Sequence, residues 1–427
     1  MLVDAKESRL PNGIRVASAA LPHVQSVAMG VFVGVGGRYE PKSISGVSHF
    51  IEHLLFKGTR TLTAGDISRA IEGRGGYFNA FTQEDLTCYF AKVACNHAWK
   101  VLGILCDMTI NPRFARDDIE KERSVILEEM MMYRDRPDQV VNESLNELLW
   151  PDHELGRPLV GNEETIAAMR RSDIVEFKAR RYVTGNTLFA FAGRVEHDAC
   201  VERVAALTGR LGGAPAPRCA PVKDGMPQGR AVLQKKKVEQ TQMALGFRIF
   251  GRHDPRRYAM KVLSVVLGEN MSSRLFQVVR EKHGLAYSVS SSFTLFAETG
   301  AIVICAGLER AHGGRALALI AREVRRLKDD LVGPRELARA REYILGQLRL
   351  SLETPSSQMM WIGENLVSYG RNITAEEAAD AVRAVTARDV QALAREFLSG
   401  ARMSLSVVSP ELEAGDEPRL LKILKAI

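Results

Sequence analysis

Residues 24–57 read VQSVAMGVFVGVGGRYEPKSISGVSHFIEHLLFK. Over 24–35 the run is apolar and rich in Val, and Gly36-Gly37 ends it, which predicts a strand. From residue 45 the apolar spacing changes to that of a helix, predicted over 45–57. Ser43 or Ser45 is available to cap its start and Gly58 to end it. A strand of period two thus passes within a few residues into a helix of period 3.6.

Outward from this stretch the same alternation continues. Strands are predicted over 13–20, 77–92 (YFNAFTQEDLTCYFAK) and 187–193 (TLFAFAG), and helices over 63–73 and 196–209. Most of 95–182 reads as helix, interrupted at Pro112, Pro137 and Pro151. Residues 212–230, GGAPAPRCAPVKDGMPQGR, lack apolar periodicity and read as a linker. Beyond it the order begins again: strands over 239–249, 285–296 and 299–307, helices over 255–267 and 272–283, helices through most of 311–398, and a strand at 403–408. Two related α+β domains follow, 1–211 and 231–427, each a mainly antiparallel sheet covered by helices.

The chemistry sits in the opening stretch. His49 and His53 are one helical turn apart, so both imidazoles can reach one ion. Glu52 lies near the same face and can reach a water on that ion without being a ligand. Such a carboxylate can take the proton of the water and return it to a leaving amine. The order H-x-x-E-H is the inverse of the common zincin motif. A catalytic zinc wants a third protein ligand, and residues 118–134, DIEKERSVILEEMMMYR, offer acids on a helix. Glu122 and Glu129 share one face, two turns apart, while Glu128 points about 100° away from Glu129.

The 427 residues are too many for one ordinary core, which agrees with two domains. A content of 46% hydrophobic and 26% charged residues is that of a globular protein. No apolar run is long enough for a bilayer, so no membrane partner is expected. The first residues, MLVDAKESRLPNGIRV, carry no secretory or organellar pattern, and cytoplasmic residence is expected. Cys88, Cys95, Cys106, Cys200, Cys219 and Cys305 form no C-x-x-C pair and read as reduced thiols. The net charge of +7 is spread along the chain, with Lys235-Lys236-Lys237 its longest tract, which argues against nucleic acid as a partner.

Together GVSHFIEHLLFKGT, GGYFNAFTQEDLTCYF and ERSVILEEM resemble the pitrilysin-like inverzincins, and more narrowly the bacterial relatives of the mitochondrial processing peptidase β subunit. LGRPLVGNEETI, RRYVTGNTLFAFAGRV and SSRLFQVVREKHGLAYSV extend the resemblance over nearly the whole chain. The family pattern places its glutamate ligand 76 residues after the second histidine, a position that Glu129 holds here. The resemblance therefore implies one Zn2+ on His49, His53 and Glu129, with Glu122 as an accessory glutamate behind the ligands. It implies that a peptide adds as a strand beside residues 77–90, with Asn79, Ala80 and Thr82 binding substrate. It further implies that Arg280 and Tyr287 face the zinc across a chamber and hydrogen-bond the substrate, Tyr287 stabilising the oxyanion. The expected protein is a zinc endopeptidase for short or unfolded polypeptides, its two halves a clamshell closing across 212–230. A homodimer, or a heterodimer with a homologous chain, is expected. The alternative is a non-catalytic subunit or scaffold, which the full set of ligands and base argues against.

Overall fold

The computed structural model of the chain describes residues 5–222 and 230–425. Elements up to the predicted linker are β1 (Lys6–Arg9), β2 (Arg15–Ala20), β3 (Ser26–Val33), α1 (Val47–Leu55), α2 (Ala64–Ile71), β4 (Tyr77–Thr82), β5 (Thr87–Ala94), α3 (Ala98–Ile110), α4 (Arg116–Arg134), α5 (Pro137–Leu149), α6 (Glu163–Ala168), α7 (Arg171–Arg181), β6 (Thr187–Gly193) and α8 (His197–Thr208). After it come β7 (Arg230–Lys235), β8 (Thr241–Phe250), α9 (Arg257–Ser264), β9 (Ala286–Leu295), β10 (Thr299–Leu308), α10 (Gly313–Asp329), α11 (Pro334–Ser351), α12 (Pro355–Tyr369), α13 (Ala375–Ala384), α14 (Ala387–Phe397), β11 (Met403–Ser409) and α15 (Asp416–Leu424). No described helix is long and apolar enough to cross a membrane.

The α+β class is borne out, and the duplication is written into the strand order. One sheet runs β1-β2-β6-β3-β5-β4 and the other β7-β11-β8-β10-β9. Leaving β1 aside, the two orders correspond strand for strand. In each, the pair next to that end is parallel (β2 with β6, β7 with β11) and the remaining pairs are antiparallel. Even residues repeat: Ala28-Met29-Gly30 on β3 answers Ala244-Leu245-Gly246 on β8.

Both faces of each sheet are covered, which is why TLFAFAG shows no polar alternation. On β6, Phe189 and Phe191 pack toward Val101 and Leu105 of α3. Leu188, Ala190 and Ala192 point the other way, onto Met359, Ile362 and Leu366 of α12. The second sheet does the same: Leu245, Phe247 and Ile249 meet helices α9, α10 and α14, and Ala244 and Val408 meet Val141, Leu145 and Leu149 of α5.

The compact units therefore do not follow a cut at 212–230. One gathers Met1–Met130, Arg157–Ala220 and Arg349–Ala375, the other Met131–Gly156, Pro221–Leu348 and Glu376–Ile427. The reason is that α5 buries its apolar stripe on β8 and β11, while α12 buries its own on β3 and β6. Of the linker, 212–222 has no regular structure and 223–229 lie outside the described residues.

Two local readings are corrected. The strand predicted over 77–92 is a hairpin, β4 and β5, because Gln83-Glu84-Asp85 turn the chain, with Gln83 N–H donating to Leu86 O. The metal helix is capped by neither serine. Its N-cap is Gly46, at φ 93, and the helix stops at Leu55, short of Gly58.

Candidate metal centre

Helix α1 begins at a glycine that has no side chain to offer its free N–H groups. Glu40 supplies the oxygens instead, Oε2 accepting from Gly46 N–H at 2.7 Å and Oε1 from Ser48 N–H at 2.8 Å. Burial pushes the Glu40 carboxyl up to about 7, against the opposing pull of these two backbone bonds. Arg157 holds the same segment by donating to Glu40 O at 2.9 Å. No spacing rule points to Glu40, six residues ahead of the cap.

Along α1, His49 and His53 sit one above the other, ring centroids 4.6 Å apart and planes at 65°. Helix α4 turns Ile119, Glu122, Ile126 and Met130 inward. Glu129 flanks that stripe, half-buried, while Glu128 is exposed. Glu129 Oε2 lies 3.7 Å from His49 Nε2 and 3.7 Å from His53 Nε2. Ligand atoms of these three residues all lie within 4.8 Å of one another, and among the described residues this is the one group of its kind.

The donor set fits a zinc-type ion. Glu122 Oε2 is 3.0 Å from His53 Nδ1, which fixes the proton there and leaves Nε2 as the free lone pair. Lys57 Nζ lies 2.7 Å from Glu122 Oε1 and balances its buried charge. Burial, then the neighbouring His53, drives His49 down to about 4, with Glu129 opposing, so at neutral pH its imidazole is uncharged and able to ligate. Lys57, two residues past the end of α1, went unnoticed in the sequence, although it continues the spacing of four set by His49 and His53.

Glu52 stands beside the cluster and outside the ligand group. Thr82 Oγ1 donates to its Oε2 at 2.6 Å. Burial pushes the Glu52 carboxyl above the usual range, and the bonds and charges of Thr82 and His53 pull the other way. Thr82 lies on β4, the edge strand of its sheet, which among the described residues pairs with β5 alone. Alternation turns Phe78, Ala80 and Thr82 toward the α1 side and Asn79 to the opposite face. Asn79 Oδ1 nevertheless accepts from the exposed N–H of Ala80 at 2.8 Å, and its Nδ2 donates to Tyr77 Oη at 2.8 Å.

Arg280 and Tyr287 belong to the other compact unit. Arg280 is in a π-helical segment, Phe276–Lys282, and Tyr287 is on β9. The guanidinium rests 5.7 Å from the Tyr287 ring centre, and Tyr287 is 73% exposed, its phenol open to solvent.

Residues 15–163 match the family described as Insulinase (Peptidase family M16), and 168–344 match the Peptidase M16 inactive domain. An uncharacterized zinc protease of Mycobacterium leprae is 36% identical over 421 residues, 97% of this chain and 94% of that protein. The uncharacterized zinc protease YmxG of Bacillus subtilis is 35% identical over 405 residues, 93% of this chain and 97% of its own. Among solved structures, a protease from Helicobacter pylori shares the fold with a TM-score of 0.89 at 22% identity, over 96% of this chain and 100% of that one. An M16 inactive-domain protein from Pseudomonas fluorescens does so at 0.88 and 19%, over 96% and 99%.

Proposed function

This chain belongs to peptidase family M16, the insulinase family, and from that membership we propose that it is a zinc endopeptidase of the inverted H-x-x-E-H type acting on short or unfolded polypeptides. The observation that carries the reading is the meeting of His49, His53 and Glu129 from two helices, with Glu52 beside them but bonded elsewhere. His49 Nε2, His53 Nε2 and Glu129 Oε2 would hold the ion, and Glu122 would fix the His53 ring. When bound, zinc supplies the Lewis acidity that polarises a scissile carbonyl.

Glu52 takes a proton from the attacking water and hands it to the departing amine. Thr82 occupies one of its oxygens, which leaves Oε1 for the water. Burial raises the Glu52 carboxyl and so makes it a stronger base, which suits a group that must accept a proton and give it back. The free edge of β4 supports an extended peptide as substrate, since only an unfolded segment can add as a strand. On this reading Asn79 yields the Ala80 N–H to the incoming backbone. Arg280 and Tyr287 are assigned to substrate binding on the resemblance of VREKHGLAY to the family, the phenol as a donor to developing negative charge.

The test is Glu52→Gln, with zinc content measured by mass spectrometry and cleavage by a fluorogenic peptide. The variant is expected to keep its zinc and lose nearly all turnover; full activity would reject Glu52 as the base. Tyr287→Phe is expected to lower turnover with zinc content unchanged.

A further inference from the structure

A cavity of about 310 Å³ lies in the first compact unit, apart from the metal cluster and the edge of β4. Its apolar wall is made by Val31 and Val33 of β3, Phe189 of β6 and Leu211 after α8. Its volume is at the small end of ordinary ligand sites. Four threonines also reach it, but their protons are committed to the protein's own carbonyls. Thr109 donates to Leu105 O, Thr187 to Val183 O, Thr208 to Val204 O and Thr184 to Gly212 O. The Tyr182 hydroxyl is paired with that of Tyr89 at 3.1 Å. These groups have lone pairs to show a ligand, and few protons.

The exception is Lys178. On α7 the inward stripe is Ile174, Phe177, Lys178 and Arg181, so a lysine stands where the helix pattern calls for an apolar residue. Its ammonium lies 5.8 Å from the centre of the Tyr182 ring, and among the described residues no carboxylate is paired with it. Among the described residues it is the one cationic side chain lining the cavity. Burial alone pulls its ammonium down to about 8. A half-buried cation without a counter-charge is costly, and local rules broken in this way tend to mark a site.

We propose that this cavity binds a small aliphatic monocarboxylate, its carboxylate on Lys178 and its chain along Val31, Val33, Phe189 and Leu211. One ammonium balances one carboxylate. A phosphate dianion would bring a second charge and more acceptors than the lining has free donors, which in apolar surroundings is unfavourable. Bound carboxylate restores the full charge of Lys178 and covers apolar wall that otherwise faces water.

Isothermal titration of the zinc-loaded full chain with decanoate tests this. One saturable site is expected, with Kd raised at least tenfold in Lys178→Met and less in Lys178→Arg. Decanol, of equal chain length but uncharged, is expected to bind at least tenfold more weakly than decanoate. Ala214→Phe, which fills the cavity from its loop wall and leaves the lysine in place, should also weaken binding. Removing zinc with 1,10-phenanthroline should leave decanoate binding unchanged, which separates this cavity from the peptidase centre. Thermal melts check that the variants fold. Absence of a saturable site, equal affinity in Lys178→Met and wild type, or loss of binding with the zinc would each overturn the proposal.

Discussion

At the scale of single residues, the centre depends on groups that do not ligate. Thr82 donates to Glu52 and thereby lowers a carboxyl that burial raises. Thr82→Val keeps the shape and removes the proton, so the Glu52 carboxyl should move further up. On the proposed mechanism the ionised Glu52 is the base, so the acid limb of the kcat/KM profile should shift to higher pH, which a pH series on a fluorogenic peptide reads directly. Lys57 has a different part, balancing Glu122 behind His53. Lys57→Met should weaken zinc affinity by about tenfold or more, the usual cost of disturbing a group behind a ligand. Competition with a chromogenic chelator measures it, and an unchanged Kd would show that Glu122 needs no counter-charge.

At the scale of the element, α1 is set by a remote cap. Glu40 is buried and its carboxyl is raised from 4.5 to about 7, so the folded protein binds this proton more tightly than the unfolded chain. Between those two values Glu40 therefore costs stability as pH rises. Glu40→Gln cannot ionise, and its unfolding free energy should fall less steeply than that of the wild type from pH 4.5 to 7. Denaturant melts across that window decide it, and parallel slopes would count against the raised carboxyl. The cap itself requires glycine. At Gly46, φ is +93 and an added Cβ would come 2.6 Å from Val160 O. Gly46→Ala should cost about 1–3 kcal/mol, seen as a lower melting temperature with weaker zinc retention.

For the whole molecule, the two exchanged helices matter most. Residues 1–211 contain every proposed zinc ligand yet lack α12, which covers one face of their sheet. Expressed alone, that fragment should bind a hydrophobic dye and melt without a cooperative transition, whereas the full chain melts cooperatively. Within the full chain, a Cβ at Gly363 of α12 would meet the Phe32 ring at 2.2 Å. Gly363→Ala should therefore destabilise the sheet that carries the N-terminal strands by about 1–3 kcal/mol, although it lies far along the chain from them. A fragment 1–211 with native-like melting would remove α12 from the required core.

What the amino-acid order settled alone was whatever repeats at short range. The period of VQSVAMGVFVGV and of SHFIEHLL gave strand and helix, and one helical turn put His49 beside His53. The recurrence of strands and helices gave the doubling of the α+β unit. Reading 77–92 as one strand failed where a polar turn interrupts two apolar runs of the same period. Only the tertiary structure decided that α5 and α12 each serve the sheet built from the other half of the chain, since an apolar stripe specifies that it must be buried and not against what. It also decided the parts of Glu40, Lys57 and Lys178. Each is a titratable group at least partly covered in folding, and what it meets there (the Gly46 and Ser48 N–H groups, Glu122, an apolar cavity wall) follows from no spacing rule.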